Sequence, residues 1–201
     1  MMQKFVNITG NIGAGTTTLC QRLCGIFKWI PNYSQAHKSP FLKRYYQEKG
    51  NYAFQNQVYI LMQSILRHAE LDFSTQVVCQ DYVINEHNGV YSNVMLSRGY
   101  IDINEYALLE QILDSRRGEL HQPDLLIFLR ADIDTLNRRI KGRNRDAEQT
   151  ISMDYLNDLQ TAFNKFVGEW KSCPIIEINT TDIDITTDTA IKDITSQFQW
   201  E

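Results

Sequence analysis

Gly10-Asn11-Ile12-Gly13-Ala14-Gly15-Thr16-Thr17-Thr18 follows the apolar run Phe5-Val6-Asn7-Ile8-Thr9 and precedes the helix-like run Leu19 to Phe27. Strand, glycine-rich turn and helix form the layout of a phosphate-binding P-loop, G-x-x-x-x-G-K-[ST]. Glycines let backbone N–H groups turn inward toward an anion, and the helix N-terminus adds a partial positive charge. Gly10, Asn11, Gly13, Ala14, Gly15, Thr16, Thr17 and Thr18 are therefore the candidate phosphate-binding residues. One position departs from the motif. The residue after Gly15 is Thr16 where the motif has lysine, so the cradle lacks its cation. Thr17 keeps the hydroxyl that ligates Mg²⁺ in such loops. A glycine-rich strand–helix turn without a ligand is the plainer alternative.

Outward from this loop the chain reads as strands alternating with helices. Apolar runs predict strands over Lys4 to Thr9, Trp29 to Tyr33, Gln76 to Gln80, Asp124 to Arg130 and Pro174 to Ile178. Helical spacing of apolar residues predicts helices over Thr17–Lys28, Phe41–Glu48, Tyr52–Phe73, Val83–Ser97, Asn104–Leu120, Asp132–Ile140, Tyr155–Trp170 and Asp188–Phe198. Lys49-Gly50-Asn51 reads as a break. Near-continuous apolar strands between helices imply an α/β fold with a parallel sheet covered on both faces. Ligands of such sheets gather at the carboxyl ends of the strands. That end holds the glycine loop, Ser34, Asp81 and Arg130.

The chain has 201 residues, 43% hydrophobic and 22% charged, with a formal net charge of −4. These values fit a single globular unit and argue against a general nucleic-acid binder. No apolar run approaches the roughly 18 residues of a membrane span. The fold begins at about the fourth residue, so no leader is expected and a cytoplasmic protein is. The four cysteines, Cys20, Cys24, Cys79 and Cys173, show no C-x-x-C pair and read as buried reduced thiols. Cys20 and Cys24 lie one helical turn apart, too few for a metal without partners. His87 and His121 read as surface or subunit-face residues.

Two more segments carry chemistry. Asp81 ends a strand beside the loop, where a carboxylate would be associated with Mg²⁺; capping the following helix is the competing reading. Arg139-Ile140-Lys141-Gly142-Arg143-Asn144-Arg145-Asp146-Ala147-Glu148 reads as a lid over a nucleotide, about residues 139–150, or as a solvated charged loop.

With these segments in order, the chain resembles the deoxynucleoside kinases, most closely the small bacterial deoxyadenosine and deoxyguanosine kinases. The resemblance runs through the loop, Trp29 to Tyr46, Phe54-Gln55-Asn56-Gln57, Val77 to Glu86, Pro123 to Arg130, the lid and Asp154-Tyr155-Leu156. It implies a P-loop kinase fold with a five-stranded parallel sheet and a short arginine-containing lid, spanning residues 1–201. It also implies ATP and Mg²⁺ as cofactors, Thr17 and Asp81 at the metal, and a dimer through a helix bundle. By the same resemblance Gln57 reads the base edge, Tyr46 and Glu148 bind the sugar hydroxyl, and Arg139, Arg143 and Arg145 grip phosphates. Gln57 and Tyr46 also fit as ordinary core-edge residues.

Three positions break the pattern. The family's strand-end glutamate, its base, falls on Ser34, a poor proton acceptor. The arginine after the strand-end carboxylate is Tyr82, and the loop lysine is Thr16. The expected function is accordingly a catalytically degenerate member that keeps a nucleoside or nucleotide pocket, as a sensor or as partner subunit of an active paralogue. Two alternatives stand beside it. One is an active 5′-kinase for purine deoxynucleosides with a rearranged site, in which Asp81 substitutes as base. The other is a purely structural subunit of a larger assembly.

Overall fold

The computed structural model describes residues 5–198. Lys4, the expected start of the first strand, lies outside the described residues. Five strands run β1 (Phe5–Gly10), β2 (Ile30–Asn32), β3 (Val78–Gln80), β4 (Leu125–Arg130) and β5 (Ile175–Asn179). They form one sheet in the order β2-β3-β1-β4-β5. Every pairing is parallel. The helices are α1 (Thr16–Phe27), α2 (Leu42–Gln47), α3 (Lys49–Ala69), α4 (Asn93–Ser97), α5 (Ile103–Asp114), α6 (Ile133–Gly142), α7 (Met153–Gly168) and α8 (Asp188–Thr195). The expected fold class is the observed one. Among the described residues no helix is long and apolar enough to cross a membrane.

The central position of β1 explains its composition. All six of its residues are buried, since β3 and β4 flank it and helices cover both faces. Its carboxyl end, Gly10, opens directly into the loop. Gly13 and Gly15 hold φ of 89° and 105°, a region that disfavours any side chain. Gly15 is also the N-cap of α1 and offers no side-chain cap, so the first N–H groups of the helix stay available to a ligand.

Three helical expectations change. The break read at Lys49-Gly50-Asn51 is the first turn of α3, and the chain turns instead at Glu48, φ −131°. The helix expected over Val83–Ser97 begins with turns, passes through a π-helix at His87–Ser92, and becomes α-helical only in α4. The π turn has a visible cause. The His87 carbonyl accepts the Gln57 amide at 2.8 Å and the Ser92 hydroxyl at 2.9 Å, which draws it out of the ordinary ladder. Helix α5 ends at Asp114, and a 3₁₀ turn over Arg117–Glu119 takes up part of the remainder. Asp132 is the N-cap of α6 and accepts the Thr135 N–H at 2.6 Å.

All four cysteines are free thiols. Cys173 is only half-buried, unlike the expectation, because it sits in the bend before the outer strand β5. Cys20, Cys24 and Cys79 meet where α1 packs on β3. Hydrogen bonds from Cys20, then Cys79, hold the Cys24 thiol well below the usual thiol range, while contacts with Cys20, then Cys24, together with burial push Cys79 up.

Candidate nucleoside and phosphate site

A cavity of about 510 Å³ opens at the carboxyl ends of the strands. That volume lies within the range of small-molecule sites. The loop supplies one wall through Gly10, Asn11, Gly13, Thr16 and Thr17. The segment after β2 supplies Tyr33, Ser34, His37 and Lys38, and α2 and α3 supply Tyr45, Tyr46, Asn56, Gln57 and Ile60. Asp81, Tyr82, Glu86, His87 and Tyr91 follow β3, and Arg143, Arg145 and Glu148 come from the lid.

The sheet order brings Asp81 to the loop, because β3 lies next to β1. Asp81 does not cap a helix. Its carboxylate accepts the Thr17 hydroxyl at 2.5 Å and the Ser34 backbone N–H at 2.6 Å. Burial pushes its pKa up, partly offset by these two hydrogen bonds. The two oxygens expected at Mg²⁺ are thus neighbours, a hard-oxygen pair suited to that ion. Asn11 pins the loop to α7, its amide donating to the Leu156 carbonyl at 2.9 Å. Ala14, Gly15 and Thr18 do not line the cavity; they shape the loop and start α1.

The lid arginines divide. Arg143 and Arg145 line the cavity, and both pair with Glu148, at 2.7 and 3.4 Å. Arg139 does not line it. Its guanidinium donates to the Thr180 hydroxyl at 3.0 Å, to the Thr180 carbonyl at 2.5 Å, and to the Gly13 and Ala14 carbonyls at 3.5 Å. It braces the loop from behind rather than reaching across the opening. The lid proper is shorter than expected, since α6 continues to Gly142 and the exposed turn starts at Arg143.

Tyr46, Gln57 and Glu148 all line the cavity. Gln57 donates one amide N–H to the His87 carbonyl at 2.8 Å, which leaves its second N–H and its carbonyl oxygen for a base. Thr16, Ser34 and Tyr82 face the same space and bring no charge. Tyr82 is nearly fully buried, and its hydroxyl accepts from the Asn32 amide at 3.2 Å. Burial raises its pKa to about 12. Asn32 in turn accepts from Arg67 at 3.1 Å, so a guanidinium from α3 stands behind the tyrosine.

Two groups escaped the sequence reading. His87 is not a surface residue; it is buried, with its Nε2 2.9 Å from the Ser64 hydroxyl. Desolvation drives its pKa down to about 4. Glu86 beside it accepts the Thr9 hydroxyl at 2.5 Å, and desolvation pushes its pKa to about 8. At neutral pH the inner wall therefore carries a protonated carboxyl and a neutral imidazole. The π turn makes this wall: residues five apart, Glu86 and Tyr91, come to one side only where the turn is widened. Asn85-Glu86-His87-Asn88 looks like a solvated polar run, and only its position after a buried strand hinted otherwise.

These two groups set a pH dependence. Glu86 is raised from 4.5 to about 8, so the stability it contributes is full below pH 4.5 and is lost as pH rises through 8. His87 is lowered from 6.5 to about 4, so its contribution is full above pH 6.5 and is lost as pH falls through 4. Each is worth roughly 1.4 kcal/mol per pH unit between its two values. Glu86→Gln is expected to raise the melting temperature at pH 8 and to do so much less at pH 5. An advantage that is equal at both pH values in thermal melts would contradict the buried neutral carboxyl.

Comparison with known proteins bears on the fold and the family. Residues 6–200 match the family model described as deoxynucleoside kinase. A deoxyadenosine kinase of Dictyostelium discoideum is 28% identical over 175 residues, 87% of this chain and 71% of that protein. A deoxyadenosine/deoxycytidine kinase of Bacillus subtilis is 22% identical over 197 residues, 96% of this chain and 91% of that protein. The structure of deoxyadenosine kinase from M. mycoides with bound dCTP superposes with a TM-score of 0.81 at 20% identity, covering 96% of this chain and 97% of that one. A sheet order, a glycine loop and a sequence match over nearly the whole length thus lead to one assignment: the chain belongs to the deoxynucleoside kinase family.

Proposed function

We propose that the chain binds a purine deoxynucleoside or its nucleotide in this cavity and transfers phosphate from ATP poorly or not at all. The observation that carries the reading is a contrast on one surface. Loop, base-side and lid residues assemble around the cavity, while the three positions where the family places its cation, base and arginine hold Thr16, Ser34 and Tyr82. Phosphoryl transfer is mostly positioning and charge stabilisation, so neutral side chains at these places weaken chemistry more than binding. Deoxyadenosine recurs in the relatives' printed names, which supports a purine deoxynucleoside as ligand, with deoxycytidine named beside it in one of them. ATP and Mg²⁺ are the cofactors of any residual activity, with Thr17 and Asp81 holding the ion. A sensor, or a subunit paired with an active paralogue, fits such a protein.

A second reading is favoured by Asp81, Lys38, Arg143 and Arg145 on the same cavity: a rearranged active kinase with Asp81 as base and these cations replacing the loop lysine. Thermal melts with a deoxynucleoside panel and with ATP–Mg²⁺, alongside a radiolabel transfer assay, separate the readings. At 100 times its dissociation constant a ligand stabilises by about 2.7 kcal/mol. A shift with negligible transfer is the expected result. Transfer that Asp81→Ala abolishes supports the rearranged enzyme, and no shift with any ligand leaves a structural role.

A further inference from the structure

We propose that Cys20, Cys24 and Cys79 form a three-sulfur site for a thiophilic cation, with copper(I) the ion whose coordination it fits. Cys20 and Cys24 are four residues apart on α1, so their side chains share one helix face. That face packs on the sheet, where Cys79 is the middle residue of β3. The three sulfur atoms lie within 4.8 Å of one another, and all three residues are buried. Thiolates about 2.3 Å from a shared ion in a trigonal plane are about 4 Å apart. Closing the site therefore takes less than about 1 Å per sulfur, within reach of small side-chain rotations.

The donor set decides the ion. Among the described residues no histidine or carboxylate joins these sulfurs to make a fourth ligand. Structural zinc closes its site with four protein ligands. Soft sulfur donors select copper(I), which is satisfied with three. Each thiol that ligates as thiolate passes one proton to solvent; copper stays at +1 and no electron moves. Asp81 and Tyr33 are titratable groups near the cluster among the described residues, and neither brings positive charge. Copper(I) with thiolate ligands keeps a net negative charge in that surrounding, so soft-donor preference and coordination number, not charge, select the ion. Three small thiols would also fill an apolar gap on packing grounds, and the experiment must separate the two roles.

The location gives the site a consequence. Helix α1 starts at Thr16, at the back of the loop, and β3 leads into Asp81. An ion held by both elements ties together the two segments whose ends carry Thr17 and Asp81.

The test is an anaerobic titration of the reduced full chain with copper(I) against a bathocuproine competitor. The expected result is one tight equivalent per chain, a thiolate-to-copper ultraviolet band and a higher melting temperature. Cys24→Ser and Cys79→Ser should each weaken binding by roughly 100-fold, while Cys173→Ser should leave it unchanged. Copper held no better than by the chelator overturns the proposal, as does equal loss with Cys173→Ser. So does tight cobalt(II) or zinc(II) binding with a tetrahedral spectrum in preference to copper(I). Where a serine variant fails to fold by circular dichroism, X-ray absorption on the wild-type complex decides: three sulfur neighbours support the site, and any other count refutes it.

Discussion

Thr16→Lys combined with Ser34→Glu is expected to raise kcat/KM for transfer from ATP to deoxyadenosine by roughly 10³–10⁵. A positioned base contributes about 10²–10⁴ and one preorganised charge about 10²–10³, and groups acting as a unit need not add. The structure offers room for both changes. Thr16 is half-exposed at the first turn of α1 and faces the cavity. Ser34 lies two residues beyond the end of β2, and its backbone N–H already holds Asp81. A new carboxylate there stands close to Asp81, and like charges raise a carboxyl pKa toward the range useful in a base. Tyr82→Arg is a different case. Arg67 already occupies the space behind Tyr82 through Asn32, so a second guanidinium meets a like charge in a buried setting. Adding it to the double variant is expected to give no further gain. A radiolabel assay at saturating ATP–Mg²⁺ checks both statements. Unchanged transfer by the double variant, with ligand binding intact, would show that Thr16 and Ser34 are not what limits this site.

The sheet was legible because buried parallel strands are near-continuous apolar runs; Leu125-Leu126-Ile127-Phe128-Leu129 needs no tertiary information to be read. The loop was legible for a similar reason, its glycines marking backbone that side chains disfavour. What failed depended on partners distant in sequence. The π turn at His87–Ser92 exists because Gln57, thirty residues earlier, takes the His87 carbonyl. Glu86 and His87 look solvated until β3 and α3 are known to enclose them. Arg139 carries the sign expected of a phosphate grip, yet the Thr180 hydroxyl and carbonyl lie nearer than the cavity. The spacing of Cys20 and Cys24 was visible, but Cys79 joins them only through the sheet order. Local pattern thus sets the elements, whereas the chemistry of the inner wall is set by contacts across them.

Gly10→Ala is expected to cost about 3 kcal/mol or more and to remove the ligand-induced thermal shift. A Cβ built on Gly10 falls 2.5 Å from the Leu129 carbonyl oxygen and 3.1 Å from the Ala14 Cβ. Leu129 is the register partner of Gly10 in the β1–β4 pairing, so relief requires parting two central strands. Ala14 is held by its N–H bond to the Asn11 carbonyl at 2.9 Å, and yielding on that side deforms the loop itself. Either response reaches the phosphate wall, which is why stability and binding should fall together. Gly25 supplies the control. It lies on the exposed side of the last turns of α1, and an added Cβ there meets nothing within 4 Å. Gly25→Ala removes the entropy cost of a helical glycine and is expected to gain roughly 0.5–1 kcal/mol, with the ligand shift unchanged. Urea midpoints with and without deoxyadenosine measure all four quantities. If Gly10→Ala matches wild type in both, β1 and β4 do not approach at this point as closely as described. The loop's geometry would then rest on something other than the strand that delivers it.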